Sequence, residues 1–215
     1  MRATVFGAAG RTGRRVVTQL LAEDYEVQAV VRRAEQASAL TSAGASAVVL
    51  DLLTASRDDL RRAVRGASAV IYTAGSAHGS PPHEVDRLDG TAIADAVDAA
   101  VQEEVERFVL VSAHRVDDDF GPPEVVRLLR AKRAADAYLR GAPLGWTIVR
   151  PDALTEDPAS GTVTVGDEVP YGELPRADLA ALIVATLTEA GAVRRQFEVV
   201  AGDAPISAAL QSLSA

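Results

Sequence analysis

Along most of this chain, apolar runs of four to eight residues alternate with longer amphipathic stretches, and no other feature restricts its fold as much. The runs are Arg2–Phe6, Tyr25–Val31, Ala47–Leu50 ending at Asp51, Ala67–Ala74 reaching Gly75, Arg107–Ala113, and Trp146–Arg150, which Pro151 stops. Each is nearly continuous in apolar residues, as expected of a strand covered on both faces. Between them the spacing predicts helices over Arg14–Ala22, Ala34–Ala43 (ending near Gly44), Ser56–Arg65, His83–Gln102 and Pro123–Arg140. In the long fourth helix, Ala92, Ile93, Ala96, Val97 and Ala100 form an apolar stripe expected to pack on the sheet. Strand and helix in strict alternation imply right-handed crossovers and an α/β fold with a doubly wound parallel sheet.

After Pro151 the texture changes. The stretch from Thr155 to Gly161 is rich in turn residues, and TVTV and VPYGELP predict short strands or extended loops before a helix over Arg176–Glu189. A last strand, Gln196–Val200, and a short helix from Ile206 follow. In open α/β sheets the ligand lies beyond the carboxyl ends of the strands, where strand order reverses. Residues 152–215 are therefore expected to form a small substrate-side segment on a 1–151 dinucleotide-binding core, within one domain of 215 residues.

The turn after the first strand points to a ligand. Gly7, Gly10 and Gly13 are spaced three apart between that strand and an amphipathic helix. Gly7 suits a positive φ, Gly10 a close backbone approach to a pyrophosphate, and Gly13 close helix-to-strand packing. The helix would then direct its amide donors and positive pole at the phosphates. In this context the glycines predict dinucleotide binding; the alternative is an ordinary strand-to-helix turn.

Composition excludes other classes. A net charge of −8 and a pI near 4.9 disfavour nucleic acid or an anionic membrane as the main partner, leaving a small-molecule substrate. No run approaches the ~20 apolar residues of a membrane span. The N-terminus runs into the first strand without a signal-peptide pattern, so a cytoplasmic location is expected. The absence of cysteine rules out disulfides, thiolate nucleophiles and cysteine-ligated metals.

The segments GAAGRTG (7–13), VVRR (30–33), Asp51-Leu52, AGS (74–76), FVLVSA (108–113), AKRAADAYLR (131–140), WTIVRPDALT (146–155) and PRADLA (175–180) occur in a familiar order. With them the chain resembles an atypical, short member of the extended short-chain dehydrogenase/reductase superfamily, of the NAD(P)H-binding, NmrA-like kind. The resemblance covers almost the whole chain and implies a Rossmann-like sheet holding NAD(P). It is poor at specifying a reaction, since the superfamily includes reductases, epimerase-like enzymes and proteins that only sense the dinucleotide.

Charge argues for NADP over NAD. A carboxylate about 20 residues past the glycines would bind a ribose 2′-hydroxyl and repel a 2′-phosphate, whereas this chain has Arg32 and Arg33 at the end of its second strand. The alternative is a solvated turn. Arg11, inside the glycine loop beside Ala9 and Thr12, either helps hold the phosphate or faces solvent. The resemblance implies that Asp51 and Leu52 border the adenine, and that Ala74, Gly75 and Ser76 pass beneath the ribose and nicotinamide.

Chemistry centres on Ser112 and Lys132. By resemblance, Ser112 would hydrogen-bond the group being reduced, and Lys132, the only lysine in the chain, would bind the nicotinamide ribose. The family's usual proton donor, a tyrosine four residues before the lysine, is replaced by Leu128, which can neither give nor take a proton. Candidate substitutes are weak. His114, two residues past Ser112, is either a titratable group at the cleft rim or a lone surface histidine. Tyr138 lies off the Lys132 face, and Tyr171 sits in the covering segment. Solvent could also supply the proton.

His78 and His83 lack a third ligand and read as loop histidines, so no metal is expected. Asp117–Asp119 before Phe120 read as a solvated acidic loop, with cation binding as the alternative, Asp86 and Asp89 as a solvated helix face or a helix N-terminal charge, and Asp152 as a turn cap or a substrate contact. The expected activity is NADP-dependent reduction of a quinone-, flavin- or carbonyl-like compound. The alternatives are a non-catalytic redox sensor and an epimerase- or dehydratase-like enzyme on a nucleotide sugar. A homodimer through exposed helices is an expectation by analogy with this fold.

Overall fold

The computed structural model describes residues 1–119 and 121–213, so Phe120 in the acidic loop lies outside the described residues. The strands are β1 (Arg2–Phe6), β2 (Glu26–Val31), β3 (Ser46–Val49), β4 (Ala69–Tyr72), β5 (Arg107–Val111), β6 (Gly145–Pro151), β7 (Ala153–Thr155), β8 (Thr162–Gly166), β9 (Glu173–Pro175), β10 (Arg195–Ala201) and β11 (Ala204–Pro205). The helices are α1 (Arg11–Ala22), α2 (Ala37–Ser42), α3 (Arg57–Val64), α4 (Pro82–Asp86), α5 (Ala92–Gln102), α6 (Pro123–Arg140), α7 (Arg176–Ala185) and α8 (Ile206–Ser212). Sheet order is β11-β8-β10-β6-β5-β4-β1-β2-β3. From β10 to β3 every pairing is parallel; β8 runs antiparallel to both β10 and β11. A Rossmann-like, doubly wound sheet is thus present, with an antiparallel edge contributed by the late segment.

Side chains alternate across the sheet with the period of two that a strand imposes. Ala69, Ile71, Val109 and Val149 point into one core with α1 and α7, through Val16, Leu20, Leu179 and Ile183. Val70, Tyr72, Phe108, Leu110 and Ile148 point into the other with α3, α5 and α6, through Leu60, Ile93, Val97 and Leu139. The predicted stripe of the fourth helix is wholly within this second core. The strand expected at 47–50 differs. It is the sheet edge, with only partial cover and Val49 53% exposed, because no strand lies beyond it.

The long helix predicted over His83–Gln102 is not continuous. A π-helical turn, Arg87–Thr91, separates α4 from α5. The wider turn shifts the helical phase, and such turns recur at functional sites. Arg87 anchors it, donating to the Leu52 carbonyl (3.1 Å), the Ala55 carbonyl (3.2 Å) and Asp95 (2.5 Å). The helix expected over Ala34–Ala43 is likewise divided into a 3₁₀ turn, Ala34–Gln36, and α2, and the one expected to reach Glu189 ends at Ala185.

The segment after β6 is held by carboxylates on backbone amides. Asp178, buried in the first turn of α7, accepts from Ser160 N (2.9 Å) and Gly161 N (2.8 Å). Asp152 accepts from Gly172 N at 2.8 Å, a tie across twenty residues that holds the chain just before β9 to the start of the segment.

Gly13 carries the closest packing in the β1–α1 connection: a Cβ there would lie 2.2 Å from the Gly7 carbonyl oxygen. Gly13→Ala is expected to cost about 1–3 kcal/mol by overpacking, read as a Tm lowered by roughly 2–10 °C in thermal denaturation. Gly141→Ala, where the nearest atom would be 3.5 Å away, should leave Tm nearly unchanged.

Candidate functional site

At the centre of the sheet, β1 has β2 on one side and β4 on the other, so crossovers diverge and leave a crevice at the strands' carboxyl ends. Backbone meets backbone there. Gly7 has φ +77°, and a Cβ on it would come within 2.6 Å of Ala74 N, just past β4. The turn also folds on itself through a Gly10 N to Gly7 O hydrogen bond of 2.9 Å. Gly10 is the N-cap of α1, without a side-chain cap or an acidic residue in the first turn, so the helix's positive pole is uncompensated from within.

The cavity that opens from this turn, about 210 Å³, is lined by eight of the predicted cofactor residues: Gly7, Ala9, Gly10, Arg32, Asp51, Leu52, Ala74 and Gly75. Val30, Val31, Gln36, Leu50, Thr73 and Leu88 complete its wall. These features fit a dinucleotide: a cradle that any side chain would fill, a free helix N-terminus, and apolar walls ending in polar groups.

The two arginines after β2 part company. Arg32 lines the cavity, and its Nε donates to Asp51 Oδ2 at 3.1 Å, while Asp51 Oδ1 accepts from Leu53 N at 3.0 Å. Arg33 turns away to pair with Glu35 at 2.5 Å and does not line the cavity. Arg11 and Thr12 also lie outside the cavity wall. Arg11 faces Glu156 at 3.6 Å; that carboxylate also receives Arg15 and Arg176, each at 2.8 Å, which ties the covering segment to α1.

At the inner end of the crevice, Asp89 corrects the sequence reading. Expected on a solvated helix face, it is 1% exposed because the π-turn rotates it inward. Its Oδ1 lies 3.0 Å from Lys132 Nζ, and its Oδ2 accepts from Ser76 N at 2.9 Å. A Cβ on Gly75 would lie 2.9 Å from Asp89 Oδ1, so glycine makes room for this carboxylate. Asp86, by contrast, is on the surface and pairs with Arg127, as a solvated face would.

Ser112 closes β5, its backbone N–H bonded to Val149 O at 2.8 Å. Its hydroxyl is buried without a hydrogen-bond partner among the described residues, and so is Oδ1 of Asp136. The two belong to one cluster: the Ser112 hydroxyl, Arg150 and Lys132 each favour the Asp136 carboxylate, yet burial outweighs them and raises its pKa. Arg150 donates to Asp136 Oδ2 through Nε (3.0 Å) and a terminal nitrogen (2.9 Å), and reaches Asp117 at 2.9 Å. Sequence reading missed Asp136 and Arg150. The one available signal was Asp136 at one helical turn past Lys132, and it is ambiguous on a helix with many charges.

His114 is neither a rim acid nor a surface histidine. Its side chain is 3% exposed, and Nε2 lies 2.9 Å from the Val169 carbonyl and 3.1 Å from Glu198. Glu198 in turn accepts from Val169 N and Arg115 N, so the histidine pins the covering segment onto β10. Tyr171, 66% exposed, packs its ring at a tilt against His114 and lies under the Arg115 guanidinium, and Tyr138 donates to Asp98 on the surface. Asp117, Asp118 and Asp119 each pair with arginine rather than standing free. Among the described residues no group of three or more His, Asp or Glu could hold a metal, and no helix is long and apolar enough to cross a membrane. Leu128 is half-buried one turn before Lys132.

Similar proteins share this architecture. The chain is 33% identical over 215 residues to a Bacillus subtilis protein called uncharacterized sugar epimerase YhfK, covering 99% of this chain and all of that one. A solved Bacillus halodurans protein carrying the provisional name NAD-dependent epimerase/dehydratase superposes with a TM-score of 0.91 at 30% identity, over 99% of both chains. The Lactococcus lactis oxidoreductase ylbE superposes at 0.88 with 27% identity, over 99% of this chain and 96% of that one. The family model described as NAD(P)H-binding matches residues 7–190, and with the crevice just described the chain belongs to that NAD(P)H-binding family, within the atypical short-chain dehydrogenases/reductases.

Proposed function

We propose that this protein is an NADP-dependent oxidoreductase that reduces a small organic compound of quinone, flavin or carbonyl type. The observation that carries the reading is the Asp89–Lys132 ion pair, its carboxylate buried, against Gly75 of the dinucleotide crevice, together with the buried Ser112 hydroxyl that has no partner among the described residues. A protein that only held the cofactor would need the glycine cradle, but not a desolvated polar cluster beyond it. Reduced nicotinamide, when bound, supplies a hydride.

The chain's own residues would do the rest. Gly7, Gly10 and the α1 N-terminus would hold the pyrophosphate, and Arg32 would meet a 2′-phosphate by releasing Asp51. Lys132 would hold the nicotinamide ribose. Asp89, bonded to both Lys132 and Ser76 N, fixes that ammonium against the Ala74–Ser76 segment. Ser112 would receive the polar atom of the substrate. Leu128 favours one second reading, a non-catalytic NADP sensor, because it removes the family's usual acid. The names of two relatives favour epimerase-like chemistry, but the segment after Pro151 is short for a sugar-nucleotide lobe.

In calorimetric titration NADPH should bind at least about tenfold tighter than NADH, since charge-assisted hydrogen bonds to a phosphate contribute about 1.5–3 kcal/mol. Arg32→Glu should weaken NADPH by roughly 10–100-fold and NADH only slightly; equal affinities in the wild type would overturn the choice of NADP. Because Asp89 is buried and its partner Lys132 is half-buried, Asp89→Ala, which leaves that ammonium unpaired, is expected to cost about 2–4 kcal/mol in denaturant unfolding. Adding Lys132→Met should cost much less than the sum of the two single changes. NADPH oxidation followed against quinones, flavins and carbonyl compounds should reveal turnover with at least one class; tight cofactor binding with no turnover would favour the sensor.

A further inference from the structure

Leu88 and Asp89 are neighbours in the chain, yet they serve different parts of the crevice. Leu88 lines the dinucleotide cavity together with Leu50, Asp51 and Leu52. Asp89 reaches the inner end, with Lys132 Nζ at 3.0 Å and Ser76 N at 2.9 Å. Arg87, the residue before them, lines no part of the cavity. Its guanidinium instead donates through Nε to Leu52 O (3.1 Å), through Nη2 to Ala55 O (3.2 Å), and through Nη1 to Asp95 (2.5 Å) and Thr91 Oγ1 (3.3 Å).

Both ends need such an anchor. Leu52 and Ala55 lie between β3 and α3, where neither ladder uses their carbonyls, and β3 is the sheet edge with no strand beyond it to hold that wall level. Asp95 is met in turn by Arg57 of α3 at 3.2 Å, so the π-turn, α3 and the β3–α3 connection are tied together. The same turn sets the direction of Asp89. At 3.6 residues per turn Asp89 would share the face of Asp86, which is exposed and paired with Arg127; the wider turn carries it to 1% exposure. Gly90 then lies against α6 beside Lys132, where a Cβ on it would be 3.7 Å from that of Ala131. From the sheet side, the buried Tyr72 donates to Leu88 O at 3.0 Å.

We propose that Arg87 is a positioning residue for both halves of the cofactor. Through one π-turn it sets the level of the wall at Leu52 and Leu88 and the inward direction of Asp89, and through Asp89 the place of Lys132. Without its guanidinium the Leu52 and Ala55 carbonyls lose their donor, and the turn is free to relax toward the α-helical period. Asp89 then swings from Lys132 toward the face of Asp86. One side chain outside the cavity is thus felt at two places in it, at the adenine wall and at the ammonium that meets the nicotinamide ribose.

This inference rests on the proposed placement of adenine against Leu52 and of the nicotinamide ribose at Lys132, and the test separates it from that placement. The probes are NADPH and adenosine 2′,5′-bisphosphate, which carries the adenine end alone. Each is titrated calorimetrically into the wild type, Arg87→Gln and Asp89→Asn, at a temperature where circular dichroism shows the protein folded. Should NADH prove the tighter dinucleotide, NADH and ADP take the places of the two probes. Asp89→Asn should weaken the dinucleotide and leave the adenine probe unchanged. Arg87→Gln should weaken the adenine probe about 2–5-fold and the dinucleotide about 10–30-fold, the span that residues reach without touching a ligand. Unchanged affinities in folded Arg87→Gln would make the arginine purely structural and overturn the inference. So would an equal loss with both probes, which confines Arg87 to the adenine wall, or an Asp89→Asn protein that binds the dinucleotide as the wild type does. A wild type that binds the dinucleotide no tighter than the adenine probe would overturn the placement at Lys132 and the inference with it. Should Arg87→Gln not fold, Arg87→Lys decides the matter: its single ammonium can meet Asp95 but cannot bridge two carbonyls, so the same unequal loss is expected at smaller size, and its absence overturns the proposal.

Discussion

The contact on which this molecule depends is the approach of the β1–α1 turn to the backbone just past β4. Gly7 sits against Ala74 N, and Gly13 against the Gly7 carbonyl, at separations that leave no space for a side chain. The contact brings α1 down onto the sheet at the place where strand order reverses, and so creates the crevice and points a bare helix N-terminus into it. Arg32, Asp51, Leu52 and Gly75 line that crevice only because β2, β3 and β4 end at the same level.

The inner end is governed by a different constraint, the cost of burying charge. Lys132 is tolerated because Asp89 meets it, and Arg150 because Asp136 and Asp117 do. Each pair also does geometric work. Asp89 joins α6 to the backbone after β4 by way of Ser76, while Arg150 joins β6 to α6 and to the loop after β5. The polar cluster thus cross-links the elements that would surround a substrate. Within it, Ser112 Oγ and Asp136 Oδ1 have no hydrogen-bond partner among the described residues.

The covering segment follows the same logic with weaker forces. His114 and Glu198 clasp Val169, Asp152 holds Gly172, Asp178 holds the turn at Ser160–Gly161, and Glu156 gathers Arg11, Arg15 and Arg176. In the last group Arg176 is buried, while Arg11, Arg15 and Glu156 are exposed, where ion pairs contribute little to stability. The group lies beside the glycine turn, so these arginines are held near the cofactor mouth without lining the cavity.

What was legible in the sequence was whatever depends on local pattern. Period and run length located the strands and helices, and three glycines between a strand and a helix marked the dinucleotide turn, because their roles are steric and local. Gly7 and Gly10 lie on the cavity for that reason, whereas Asp51, Leu52, Ala74 and Gly75, which also line it, were expected from the family resemblance and Arg32 from its charge. Arg33 and Arg11 are chemically suitable but turned elsewhere, since side-chain direction at a strand end is set by neighbours distant in sequence. Asp89 looked like one more acidic residue on a helix surface; a π-turn of five residues, invisible to a 3.6-residue period, rotated it into the core. Asp136 and Arg150, fourteen residues apart on a helix and a strand, acquire meaning only where packing removes water from both. The sequence alone therefore determined the sheet, its order of helices and the class of ligand, through local geometry and hydrophobic period. Tertiary structure decided which charges are buried and which polar atoms are left unpaired, because desolvation is a property of the assembled core and not of any segment.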